Sequence, residues 1–106
     1  MISYDDFKKL EMVTAMVLEV EDHSNADRLF VVKVDIGGET RQVVAGIRGH
    51  YKKEELIGKE VIVLKNLQTA TIRGVESNGM ILATKDGDKL AVLIPEKEVK
   101  VGSSVS

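Results

Sequence analysis

The 106-residue chain predicts an all-β fold, a small barrel of five or six short strands with short terminal extensions. Three observations carry this reading. Apolar and polar residues alternate with period two, glycine-containing turn signals separate the alternating runs, and the helical signals are brief. A composition 43% hydrophobic and 30% charged lies in the globular range, and the length suits one domain over residues 1–106.

Residues 4–9 can make one or two helical turns. The first strand spans 12–21, with apolar residues on both faces early (Met12, Val13, Ala15, Met16, Val17) and Glu19 and Glu21 later on one face. Its first half must therefore be covered on both sides. In 29–36, Phe30, Val32, Val34 and Ile36 point one way while Lys33 and Asp35 point the other. Gly37-Gly38 then permits a tight turn into a returning strand at 40–45. A second short helix is expected over 52–57, ended by Gly58, where a left-handed residue is easiest. Strands follow at 61–66, 80–84 and 89–94, the last two joined by Asp86-Gly87-Asp88, a strong hairpin signal. The tail, 101–106, reads as loose. Strands with one helix between the third and fourth have the layout of the OB-fold, a partly open Greek-key barrel whose face and loops bind oligonucleotides or oligosaccharides. An SH3-like barrel is the competing arrangement.

Catalytic chemistry finds little footing. There is no cysteine, so disulfides and thiolate zinc sites are excluded. His23 and His50 share no metal-ligand spacing, and His23 reads as a solvated loop residue. No nucleophile elbow surrounds Ser24 or Ser77, and Gly46-Ile47-Arg48-Gly49 lacks the Lys-Ser/Thr of a phosphate-cradling loop. No catalytic residue, cofactor or metal is expected. No basic region followed by an apolar run opens the sequence, and no apolar stretch approaches the ~20 residues of a membrane span. A cytoplasmic location without membrane contact is the expectation. The net charge of −2 hides an asymmetry: residues 41–75 hold seven basic and three acidic side chains, against four and nine in residues 1–40. Arg41, Arg48, Lys52, Lys53, Lys59, Lys65 and Arg73 would form a basic face if the fold gathers them.

Two polar loops stand out: His23-Ser24-Asn25-Ala26-Asp27-Arg28, whose short polar side chains can fix its shape, and Arg73-Gly74-Val75-Glu76-Ser77-Asn78-Gly79-Met80, with guanidinium, carboxylate, hydroxyl and amide set around two glycines. Each can equally be a structural turn. With Tyr4-Asp5-Asp6-Phe7, Lys33-Val34-Asp35-Ile36-Gly37, Val44-Ala45-Gly46-Ile47, Glu54-Glu55-Leu56 and Asn66-Leu67, they resemble the tRNA-binding OB-fold domain family. That family is found at the C-terminus or as the β subunit of methionyl-tRNA synthetase and in endothelial-monocyte-activating-polypeptide-like proteins. The resemblance spans nearly the whole chain. Its most specific piece is the Arg73 to Met80 block, similar to the family's Arg-Gly-Val-Glu-Ser-Gln-Gly-Met.

The resemblance implies a free-standing, non-catalytic tRNA-binding module, the β subunit or an accessory protein of methionyl-tRNA synthetase, whose catalytic chain would be its partner. It would place Asn25, Arg28, Lys33, Asn66, Arg73, Ser77, Asn78 and Met80 at the RNA. Arginine and lysine suit phosphates, amides and hydroxyls suit 2′-hydroxyls or base edges, and a thioether can pack on a base. With Tyr51 and Tyr4 the only candidate free rings, recognition of tRNA shape fits better than a stacking platform. The resemblance also implies a homodimer, and the apolar residues of the terminal segments, Tyr4, Phe7, Leu10, Val99 and Val101, are its expected contacts. Two departures thin the basic surface. Glu11-Met12-Val13-Thr14-Ala15-Met16 stands where the family commonly reads Asp-Leu-Arg-Val-Gly-Lys, and Gln68-Thr69-Ala70-Thr71 where it reads Lys-Pro-Arg-Lys. The alternative, a dimeric secretion-chaperone-like protein binding unfolded polypeptides, draws on the flexible apolar stretch Met12, Val13, Met16.

Overall fold

The computed structural model describes residues 1–106, and its longest strand organises the rest. The elements are α1 (Tyr4–Phe7), β1 (Met12–Asp22), β2 (Phe30–Asp35), β3 (Thr40–Ala45), α2 (Lys53–Leu56), β4 (Glu60–Leu64), β5 (Ala70–Ile72), β6 (Val75–Ser77), β7 (Met80–Ile81), β8 (Ala83–Asp86) and β9 (Lys89–Val92). The first half of β1 pairs antiparallel with β4, from Met12 opposite Leu64 to Met16 opposite Glu60. The second half pairs with β2, from Met16 opposite Asp35 to Asp22 opposite Phe30, with a register shift between Val17 and Glu19. Such a bulge bends a strand and adds twist. Here it moves the inward set from Val13, Ala15 and Val17 to Val20 and leaves Leu18 exposed. One strand thus serves both sides of the barrel.

The main sheet runs β3-β2-β1-β4-β7. Its open edges meet where the Asn78 N–H donates to the Gln42 carbonyl at 2.8 Å and Arg41 Nη1 donates to the carbonyls of Lys65 at 2.9 Å and Asn78 at 3.4 Å. The result is a nearly closed, OB-fold-like barrel. Inside it, Val13, Val63 and Ile81 form one continuous cross-strand row, joined by Val32, Val34, Val43 and Val61, each no more than 1% exposed. Burying one such valine contributes about 1.5–3 kcal/mol. Leu56, from the helix between β3 and β4, is 1% exposed in the same core.

Four expectations need correction. There are nine strands rather than six, because the Arg73 block is a β5–β6 hairpin and the 80–84 run divides at Leu82. β7 pairs with β4 while β8 pairs with β9. The chain leaves the 61–66 run at Leu64 because Asn66 turns aside to bond the N-terminal segment. The tail is not loose: Ser103 O accepts the Thr14 N–H, the Gly102 N–H donates to Thr14 O, and the Val105 N–H donates to Met12 O. This strap runs along the first half of β1 and encloses Thr14, whose hydroxyl bonds Lys100 O and the Ser103 N–H and which is 4% exposed. It can approach because a Cβ on Gly102 would stand 2.9 Å from Gly37 Cα. Finally, Tyr51 is no free ring. It packs against the core, and its hydroxyl accepts the Val92 N–H at 3.1 Å.

Candidate nucleic-acid interface

The loop between β1 and β2 is short, polar and closed on itself. The His23 N–H donates to Leu29 O, and the Leu29 N–H to Ala26 O. His23 is 3% exposed, contrary to the solvated residue expected. Its Nδ1 accepts the Asn25 N–H at 2.9 Å, and its Nε2 lies 3.0 Å from Ile72 O. A carbonyl only accepts, so the ring proton sits on Nε2. Arg48, after β3, supports the loop from below through Ala26 O at 3.3 Å.

The facing element is the β5–β6 hairpin, with Ile72 opposite Val75. Its two turn residues, Arg73 and Gly74, have φ of 52° and 89°, the type I′ pattern that matches strand twist. Asn-Gly would satisfy that turn without strain. Arginine in the left-handed region costs on the order of 1 kcal/mol and is a pointer to function. The hairpin is anchored to β3 by Ser77, whose Oγ accepts the Val44 N–H at 2.9 Å, and by Gln42 Nε2 donating to Glu76 O at 2.8 Å.

Loop and hairpin tip meet at the end of the barrel. Arg73 Nη2 donates to Asn25 O at 3.2 Å, and Arg73, Arg28, Asp27, Leu29 and Ala26 line one open pocket of about 270 Å³. Arg41 and Arg48 are neutralised by Glu39 at 2.7 Å and Asp22 at 3.3 Å, whereas Arg28 and Arg73 form no ion pair. Of the seven basic residues in 41–75, Lys53 and Lys65 are also paired, with Asp22 and Glu11. The basic segment therefore makes no single bare face. What it leaves free at the loops is Arg73, joined there by Arg28 from outside the segment.

The other expected RNA residues are placed differently. Lys33 stands half-buried on β2, between Glu19 on β1 and Gln42 on β3, on the barrel face that leads to the loops. Ser77 is 4% exposed and also donates to Gly79 O at 3.3 Å, so its hydroxyl is spent inside the barrel and shapes the hairpin rather than meeting a ligand. Asn66 is a clasp: its Oδ1 accepts the Glu11 N–H at 2.9 Å, and its Nδ2 donates to Lys9 O at 2.7 Å. Asn78 is half-buried and bonded to Thr69 Oγ1 at 2.7 Å and to Glu76 Oε1 at 3.2 Å. Met80 is exposed beside Leu64, in an outer row with Met12. Asn25, Arg28 and Arg73 are thus brought together, and Asn66, Asn78 and Met80 lie at the hairpin base. Sequence reasoning missed the structural work of His23 and Arg48. A single histidine in a polar loop has no period to reveal its burial.

No three His, Asp or Glu side chains are grouped as metal ligands, and no helix is long and apolar enough to cross a membrane. Residues 12–104 match the family described as "Putative tRNA binding domain". A methionine–tRNA ligase of Thermococcus kodakarensis is 52% identical over 104 residues, which cover 98% of this chain and 14% of that ligase. The crystal structure of a MetRS-related protein from Pyrococcus horikoshii superposes with a TM-score of 0.93 at 34% identity, covering 100% of this chain and 98% of the other. The CsaA chaperone protein of Picrophilus torridus superposes with a TM-score of 0.92 at 28% identity over the full length of both chains.

Proposed function

Since the chain belongs to the tRNA-binding domain family, we propose that it is the non-catalytic, tRNA-holding module of a methionyl-tRNA synthetase system in the cytoplasm, with the synthetase catalytic chain as its partner. A free-standing form of that role is supported by the Pyrococcus horikoshii MetRS-related protein, which is covered almost end to end. The observation that carries the reading is the pair of guanidiniums without an acidic partner, Arg28 and Arg73, lining one pocket where the two loops of the barrel converge. OB-folds bind nucleic acid through the face and loops at this position. Guanidinium groups suit phosphate oxygens bidentately, while Asn25 and Lys33 extend the contact across the β2–β3 face. Asn66, Asn78 and Met80 would then touch RNA only at its margin.

Because few cations stand at the loops, the grip is modest and strongly set by salt. With two or three phosphates neutralised, log Kobs should fall with log salt at a slope of about −2 to −3. Filter binding of tRNA at low salt tests the reading: saturable binding at micromolar protein is expected, and none at all would end the RNA role.

The proposed homodimer would use Tyr4, Leu10 and Val99, which are exposed, with the half-buried Phe7 and Val101 at their margin. A species of twice the chain mass in sedimentation is expected. The likeness to the CsaA chaperone protein supports the alternative of polypeptide binding; of the stretch that favoured it, Val13 is buried in the core, while Met16 lines an open pocket of about 360 Å³ with Ile94, Val99 and Val101.

A further inference from the structure

We propose that His23 is the positioning residue of the tRNA site, the latch that sets the spacing between the Asn25 loop and the Arg73 turn. The inference rests on those two segments being where RNA binds. The hairpin is fastened to β3 only near its base, through Gln42, Ser77 and Asn78. Its tip meets the β1–β2 loop through two polar contacts, Arg73 Nη2 to Asn25 O and His23 Nε2 to Ile72 O. The first is exposed and belongs to the guanidinium that would turn to a phosphate. Once RNA claims Arg73, the buried imidazole is the polar link left between the segments.

The ring is suited to that task because its two nitrogens face different elements. Nδ1 holds the Asn25 amide in its own loop, and Nε2–H holds the carbonyl next to Arg73 in the hairpin. An apolar side chain would fill the same volume but orphan both backbone groups, each costly when removed from water. The strained φ of Arg73 needs a turn held from outside, and Ile72, its immediate neighbour, is where the latch takes hold.

The two bonds can be broken separately. In His23→Asn the side-chain oxygen falls near the Nδ1 position, keeping the acceptor for Asn25 and losing the hairpin. In His23→Gln the amide nitrogen falls near Nε2, keeping the hairpin and losing the Asn25 acceptor. Each variant is expected to weaken tRNA binding about five- to tenfold per folded molecule, by the loss of one bond that orders the site. Neither should weaken it much further when Arg73→Ala is already present, because the latch acts through Arg73; a merely structural histidine would give losses that multiply. In the unmodified protein, long-range ¹⁵N–¹H spectra should show the His23 proton on Nε2 and Nδ1 as an acceptor. This reading needs no variant to fold. Multiplying losses, a proton on Nδ1, or Arg73-dependent binding that ignores both substitutions would overturn the latch alone. Binding that ignores Arg73→Ala would overturn the loop site beneath it.

Discussion

The two ends of the β5–β6 hairpin carry similar side chains and use them in opposite ways. At the base, Ser77, Asn66 and Arg41 have committed their side chains to backbone groups of β3, the N-terminal segment and the chain after β4, and Asn78 has committed its amide to Thr69 and Glu76. At the tip, Arg73 touches one carbonyl and Arg28 pairs with no acid, and the backbone between Ile72 and Val75 is held in a strained turn. A polar residue whose bonds are satisfied internally stabilises the fold and has little left for a ligand. One left without an acidic partner in a concave corner keeps its capacity for a ligand. The difference lies in free valence, not residue type.

Substitutions at the two ends should separate stability from binding. Ser77→Ala, at the base, leaves the Val44 N–H buried and unpaired and is expected to cost about 2–3 kcal/mol, read by denaturant unfolding, while folded protein binds tRNA normally. A binding loss with unchanged stability would erase the distinction. At the tip, Arg28→Ala combined with Arg73→Ala should leave unfolding nearly unchanged, lower affinity about 10- to 30-fold, about 1.5–2 kcal/mol, and flatten the salt slope by about two. Asn66→Ala should destabilise by about 1–2 kcal/mol through its exposed but multiple bonds, with Kd unaltered. The smallest effect discriminates most sharply: Arg73→Gly relieves the positive φ and should raise stability by about 0.5–1 kcal/mol while weakening binding. Should stability fall instead, the arginine is there for the fold.

Much of the barrel was legible because period-two alternation survives in β2 and β3, and Asp86-Gly87-Asp88 marked its hairpin in advance. The β5–β6 hairpin escaped because each strand has three residues, too few for alternation to show. The available clue was the Arg73-Gly74 pair between the β-branched Ile72 and Val75. The tail escaped for another reason. Its partners lie about ninety positions away in sequence, and a strap held through backbone groups leaves no pattern in its own side chains. Of the candidate site, residue types pointed to Asn25, Arg28 and Arg73, which the structure brings together, but nothing in the sequence could show that Ser77 is enclosed or that Asn66 is a clasp.

The strap has a temporal consequence. Its contacts with β1 close nearly the longest loop the chain can form, and closures of that span come late in folding because the entropy of joining distant segments must be met before any contact rewards it. Until then one flank of β1 faces water. The residue at its centre is Thr14, a hydroxyl that can bind solvent while it waits and later donates to Lys100 O at 3.0 Å. Gly102→Ala should accordingly speed unfolding and leave the refolding rate nearly untouched, the kinetic signature of a fastening made after the barrel has already formed.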